Sequence, residues 1–205
     1  MLRKALLWAS ENPFLARKLP TYGFVRRATR RFLPGETVEE AISEGLRLGG
    51  IGIQTTLTLL GENVTRPEEA DAVLEHYLEV LESVKEKGLD AEISVKLTQL
   101  GMDQGVDGAR QRLERLVRAC DGESLVWVDM EGSAYVDGTL DIFRAVRTDH
   151  QNVGLCLQAY LLRTKSDLES LMPLQPAIRL VKGAYKEPPD IAFPRKADVD
   201  QNFVR

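Results

Sequence analysis

Apolar and polar positions alternate along the chain in two different rhythms. After Pro34-Gly35, Thr37-Val38-Glu39-Glu40 reads as a helix start, with a Thr N-cap and Glu three residues on. Leu46 and Leu48 lead into Gly49-Gly50, which ends that helix. The run 51–61 (IGIQTTLTLLG) is apolar and β-branched, and it predicts a strand closing at Gly61. The stretch 67–88 predicts a long amphipathic helix with Val73, Leu74, Tyr77, Leu78 and Leu81 at helical spacing and Gly88 as its stop. His76 falls off that stripe, among Glu75 and Glu79, and reads as a surface residue. Strands are then predicted over 91–101, 124–133, 153–161 and 177–185, with helices over 107–120, 139–149 and 164–172 between them.

Strands separated by helices of this length build βα units and a parallel sheet, wound consistently in the right-handed sense. No GxGxxG follows the first strand and no P-loop occurs, so dinucleotide-binding and NTPase readings lack their signature. The alternatives are an open five-stranded α/β sheet and the front part of a (βα)8 TIM-type barrel, which usually needs about 250 residues. The barrel reading makes residues 1–48 an N-terminal helical arm and 49–205 the first part of a barrel with five βα units. The final stretch ADVDQNFVR reads as an opening helix.

Composition narrows the class. With 43% hydrophobic and 28% charged residues, the 205-residue chain has ordinary globular values. Collagen-like, disordered and disulfide-scaffold classes are excluded. No apolar run approaches the ~18 residues of a spanning helix. Cys120 and Cys156 sit in apolar surroundings and read as buried thiols in a reducing, cytoplasmic compartment. The overall charge of −4 is unevenly spread, because residues 1–34 carry +7 and the other 171 carry −11. That basic arm can fold on the acidic body or lie on an anionic membrane face from the cytoplasmic side. No nucleic-acid motif accompanies it, and no metal-ligand spacing occurs.

Barrel enzymes place their chemistry at the C-terminal ends of strands. The period-two pattern puts Ser94, Lys96 and Thr98 on one face of their strand, Trp127, Asp129 and Glu131 on one face of the next, and Cys156, Gln158 and Tyr160 on one face of the third. Arg179, Val181, Gly183 and Tyr185 share a face of the last strand, opposite Lys182 and Ala184. Helix-facing sides are apolar, so Lys96, Asp129, Gln158 and Arg179 should converge on the other side. They form either a ligand site or a structural ion-pair network.

The segments ISVKLTQLG, WVDMEGS, LQAYL and IRLVKGAYKE, in this order, resemble the flavin-dependent proline dehydrogenases, with RLVKGAY the most specific. The likeness runs from about Gly49 to the end, and the basic N-terminal helices suit the monofunctional bacterial branch. It implies a distorted (βα)8 barrel, FAD as cofactor, and oxidation of L-proline to 1-pyrroline-5-carboxylate with electrons passed to a quinone. By the same resemblance, Lys96 helps hold the substrate carboxylate and Asp129 stands beside the substrate. Met130 neighbours the flavin, Gln158 hydrogen-bonds its ring and Arg179 lies near its N5. Val181, Lys182, Gly183 and Ala184 run along the cofactor.

Proline dehydrogenases continue through three further βα units to a helix with paired arginines, which residues 186–205 do not supply. The resemblance therefore implies a C-terminally truncated member, expected to hold flavin weakly and to be inactive on its own. Lys186 stands where some members have an aromatic residue. Two other readings stay open: a non-catalytic barrel scaffold, and a Schiff-base lyase using Lys96 or Lys182.

Overall fold

The computed structural model describes residues 37–120 and 124–204. The arm expected over 1–48 therefore lies outside the described residues up to 36. Helix α1 (Val38–Gly49) opens the described chain, and Thr37 Oγ1 accepts from Glu40 N at 3.3 Å, the cap read from the sequence. Its buried Ile42 joins the central core.

Five parallel strands follow: β1 (Thr55–Thr58), β2 (Ala91–Lys96), β3 (Val126–Asp129), β4 (Val153–Gln158) and β5 (Ala177–Val181). They lie side by side in chain order, β1-β2-β3-β4-β5. The crossovers are α2 (Pro67–Glu86), α3 (Val106–Ala119), α4 (Val136–Asp149) and α5 (Thr164–Leu171), and α6 (Lys196–Phe203) follows β5. Sequential order with right-handed crossovers puts the helices on one side of the sheet. Ile93, Val95, Val126, Val128, Val153 and Leu155 point to that side and pack with Leu74, Leu113, Leu116, Ile142 and Phe143 in one core. The opposite face carries Ser94, Lys96, Trp127, Asp129, Gly154, Cys156, Gln158 and Arg179, and is called the open face below.

The elements match the sequence pattern, but several strands stop earlier than it predicts. β2 ends at Lys96 because the chain turns at once, with Gln99 N donating to Lys96 O at 3.1 Å and Met102 N to Leu97 O at 3.0 Å. β5 ends at Val181 because Gly183 takes φ +101°, which no extended strand can hold. On α2 the buried stripe is Ala70, Leu74, Tyr77, Val80 and Val84, so Leu74 and Tyr77 of the expected set are buried while Val73, Leu78 and Leu81 are half-buried at its edge. Tyr77 locks this helix to the sheet: its hydroxyl donates to Ser94 O at 2.9 Å and accepts from Leu59 N at 3.0 Å.

One buried cation closes the lower end of the fold. Arg147 on α4 donates to Gln151 O, to Leu174 O at 3.2 Å and to Gln175 O at 2.6 Å. It thereby fixes the turns that lead into β4 and into β5. Arg147→Met, which keeps the stem and removes the donors, should cost about 2–4 kcal/mol, since buried carbonyls lose charged donors. Urea denaturation measures this, and an unchanged midpoint would contradict the role assigned to Arg147.

Candidate active site

The parallel register sets the rungs of the site. Lys96 pairs with Asp129, and Cys156 with Arg179. One rung towards the N-terminal ends, Ser94 pairs with Trp127, and Trp127 with Gly154. One rung towards the C-terminal ends, Gln158 pairs with Val181. Side chains from one face of neighbouring rungs stand about 5 Å apart across strands, so long polar groups among them meet.

They meet at Asp129. Its Oδ1 accepts from Arg179 Nη2 and, at 2.8 Å, from Ser94 Oγ. Arg179 Nη2 also donates to Ser94 Oγ at 2.8 Å. Lys96 Nζ stands 3.7 Å from Asp129 Oδ2. Two cations and one carboxylate thus share the rung, leaving one positive charge in excess. Side-chain exposure of 17% for Lys96, 22% for Asp129 and 32% for Arg179 keeps the cluster reachable from the open face. Beneath Arg179, burial pushes the Cys156 thiol up, and the neighbouring guanidinium opposes that shift.

Gln158 lies at the same end of the sheet, apart from the charges. It is buried, and its Nε2 donates to the backbone carbonyls of Met130 and Glu131, both at 2.8 Å. Glu131 is buried as well and accepts from Thr98 N at 3.1 Å and Thr98 Oγ1 at 2.6 Å. Burial raises its pKa, and the Thr98 hydrogen bonds pull the other way. Met130 points into the core on the helix-covered side, so only its backbone borders the open face.

Beyond β5 the chain runs across the mouth of the sheet. A Cβ on Gly183 would lie 2.1 Å from a carbon of the Tyr160 ring, so only glycine passes there. Burial pushes the Tyr160 hydroxyl up to about 12. Lys182 has the parity opposite to Arg179, and its half-exposed Nζ binds Asp200 and lies 5.6 Å from the Phe203 ring centroid, both on α6. Gly183 and Ala184 are exposed, and Val181 is half-buried beside Gln158. Tyr185 OH donates to Glu62 Oε1 at 2.7 Å, joining the loops after β5 and β1. Glu187 accepts from Ser133 N and Ser133 Oγ, both at 2.7 Å.

Sequence reasoning on Lys96, Asp129 and Arg179 thus lands on side chains in direct contact. It missed Ser94 as a partner, although Ser94 shares the face of Lys96 in the period-two pattern. It also missed Glu62, which lies in a loop without periodic signal. An open depression of about 560 Å³, lined by Gln54, Asp90, Glu92 and His150 among others, sits at the opposite, N-terminal ends of the strands and contains none of the clustered charges.

Comparison with known proteins gives these residues their context. A sequence model of the proline dehydrogenase family matches residues 41–203. Proline dehydrogenase 1 of Bacillus subtilis subsp. natto is 36% identical over 204 residues, taking in 99% of this chain and 67% of that protein. The proline dehydrogenase of Deinococcus radiodurans is 35% identical over 214 residues, covering 100% of this chain and 67% of that protein. Among solved structures, proline utilization A from Bdellovibrio bacteriovorus, inactivated by N-propargylglycine, superposes with a TM-score of 0.79 at 22% identity, over 87% of this chain and 24% of that one. The structural likeness identifies the five-stranded sheet as the TIM-barrel type, and this chain spans about two thirds of its curated relatives. On the match of sequence, fold and strand-borne charges together, the chain belongs to the proline dehydrogenase family, of the monofunctional bacterial type.

Proposed function

We propose that the open face serves FAD-dependent oxidation of L-proline to 1-pyrroline-5-carboxylate, with the electrons passed on to a quinone. The observation that carries this reading is the carboxylate of Asp129 held between Lys96 and Arg179 at the C-terminal ends of parallel strands. Two cations beside one carboxylate at a partly exposed rung give the anionic group of a substrate its partners. Family membership supplies the substrate class, and it disfavours a bare scaffold.

The residues present suit a flat, redox-active ring. Arg179 is a permanent cation reachable from the open face. Gly183 and Ala184 offer exposed backbone on the C-terminal side of β5, with the side of Gly183 that a Cβ would occupy taken up by the Tyr160 ring. When bound, FAD supplies the acceptor for the hydride removed from the carbon next to the ring nitrogen. Gln158 and Val181 would border the cofactor as neighbours on one rung. Met130 would contribute through its backbone, since its side chain lies in the core, and Lys182 through its backbone or an ammonium paired with Asp200.

Each charged group then has a separate task. Lys96 stands at an ion-pair distance from Asp129 longer than a hydrogen bond, so its ammonium can turn its protons to a substrate carboxylate. Asp129 keeps the two cations from repelling one another and fixes their spacing. Arg179, anchored on Asp129 and Ser94, sets positive charge where negative charge gathers on reduction. A lyase reading through Lys182 meets the opposite geometry, because that amine is paired with Asp200 away from the open face.

No helix among the described residues is long and apolar enough to cross a membrane. Contact with a membrane-borne quinone falls in this proposal to the basic segment 1–34, lying on the anionic cytoplasmic face.

The reading predicts that FAD-loaded protein carrying these residues together with the further third that the curated relatives have shows flavin absorbance that L-proline bleaches under anaerobic conditions. Protein of that length that takes up no FAD would contradict it. Arg179→Met should slow that bleaching on the order of 100-fold while weakening proline binding much less. A bleaching rate equal to the parent's would refute the task given to Arg179. Lys96→Ala should raise the proline concentration for half-maximal bleaching by about 10- to 100-fold, the loss of one charge-assisted contact. An unmoved half-saturation value would take Lys96 out of carboxylate binding.

A further inference from the structure

The open face carries a large aromatic side chain to which the proposed reaction assigns no task. Trp127 on β3 lies one rung below Asp129, half-buried, with Arg179 Cζ 5.1 Å from its ring centroid. Its Nε1 donates to Glu92 Oε2 at 2.6 Å, which fixes the direction of the indole. Its partner across the ladder is Gly154, and a Cβ there would come within 2.6 Å of the indole carbons. β4 therefore has its one glycine where the indole lies. Three strands are thus matched to this ring: β2 receives its N–H, β4 makes room for it, and β5 lays a guanidinium over it.

We propose that Trp127 is a positioning residue that holds the plane of the Arg179 guanidinium; this rests on the reading that Arg179 acts on a bound flavin. The hydrogen bonds of Arg179 to Asp129 and to Ser94 both leave from Nη2, and its rung neighbour Cys156 offers only a weak thiol contact. The strong bonds at one nitrogen pin one corner of the fork and hold the plane less firmly than its position. The face of the indole steadies the plane, because a weakly hydrated planar cation stacks on an aromatic face while its edge keeps its hydrogen bonds. The remaining Nε and Nη1 edges are thereby kept aimed along the open face. Glu92 holds the ring at its far side, so the order of support runs Glu92, Trp127, Arg179.

The stack can be tested with and without flavin. The sequence has two tryptophans, so in a Trp8→Phe background Trp127 is the sole emitter. Adding Arg179→Met uncovers its face, and the expected result is a shifted emission maximum with acrylamide quenching raised about twofold. Unchanged emission and quenching overturn the stack. In FAD-loaded protein, Trp127→Leu should lower the two-electron reduction potential by about 30 mV, a tenfold change in the reduction equilibrium. Trp127→Phe, which keeps an aromatic face, should restore most of that loss. A side chain that merely fills space lowers the melting temperature of both variants and leaves the potential in place, so equal potentials in parent, Leu and Phe proteins overturn the positioning role. Protein extended to the length of its curated relatives that shows the emission change yet binds no FAD supports the stack and overturns the proposed function, which tells the two failures apart.

Discussion

Everything at the open face depends on one carboxylate holding two cations that start on different strands. Asp129 sits on the central strand β3; Lys96 reaches it from the adjacent β2, while Arg179 must cross β4. That crossing is possible because β4 offers a glycine and a cysteine, Gly154 and Cys156, on the open face at the two rungs concerned. Large side chains there would separate Arg179 from both Asp129 and Trp127. Partly buried charges are costly to leave unpaired, so removing Asp129 sets two cations against each other instead of releasing them harmlessly. The cluster acts as a unit for the same reason. Its energy lies in the triangle of Asp129, Ser94 and Arg179, with Lys96 held more loosely at its side.

The sheet makes this unit possible by being one-sided. Helices cover the face that carries Val95, Val128 and Leu155, and the parallel register then forces every second residue to the opposite face at matched heights. The loops that follow the strands cross-link one another over the C-terminal ends. Tyr185 grips Glu62 from the far edge of the sheet, and Glu187 holds the turn at Ser133. In this way the segment after β5 is tied to the loops after β1 and β3, and the exposed backbone at Gly183 and Ala184 is held beside the cluster.

Much of this was legible in the sequence, for reasons that particular residues make plain. Lys96, Asp129 and Arg179 each occupy the polar parity of an otherwise apolar strand, and a period of two is a rigid rule once a strand is fixed. The same rule separates Met130 and Lys182 from them, since both share parity with core residues. Family resemblance implies a place for both along the cofactor; Met130 has its side chain in the core and Lys182 has its own paired with Asp200. Gly183 was readable as a place where a chain passes a flat ring, and within the protein itself one such ring is Tyr160. Strand ends were the least legible feature, because the turns after Lys96 and Val181 are set by hydrogen bonds and a positive φ rather than by hydrophobic pattern. Glu62 left no trace, since its partner Tyr185 lies 123 residues away.

The central claim is that Asp129 organises the two cations for substrate oxidation. Stopped-flow mixing of FAD-loaded Asp129→Asn with L-proline under anaerobic conditions tests it most directly. This substitution keeps the shape of the side chain, removes its charge and exchanges one acceptor oxygen for an NH2 donor. A fall in the rate of flavin bleaching of at least about tenfold is predicted, from the loss of a charge-assisted anchor shared by two residues. Bleaching at the parent rate, with parent affinity for proline, would contradict the account.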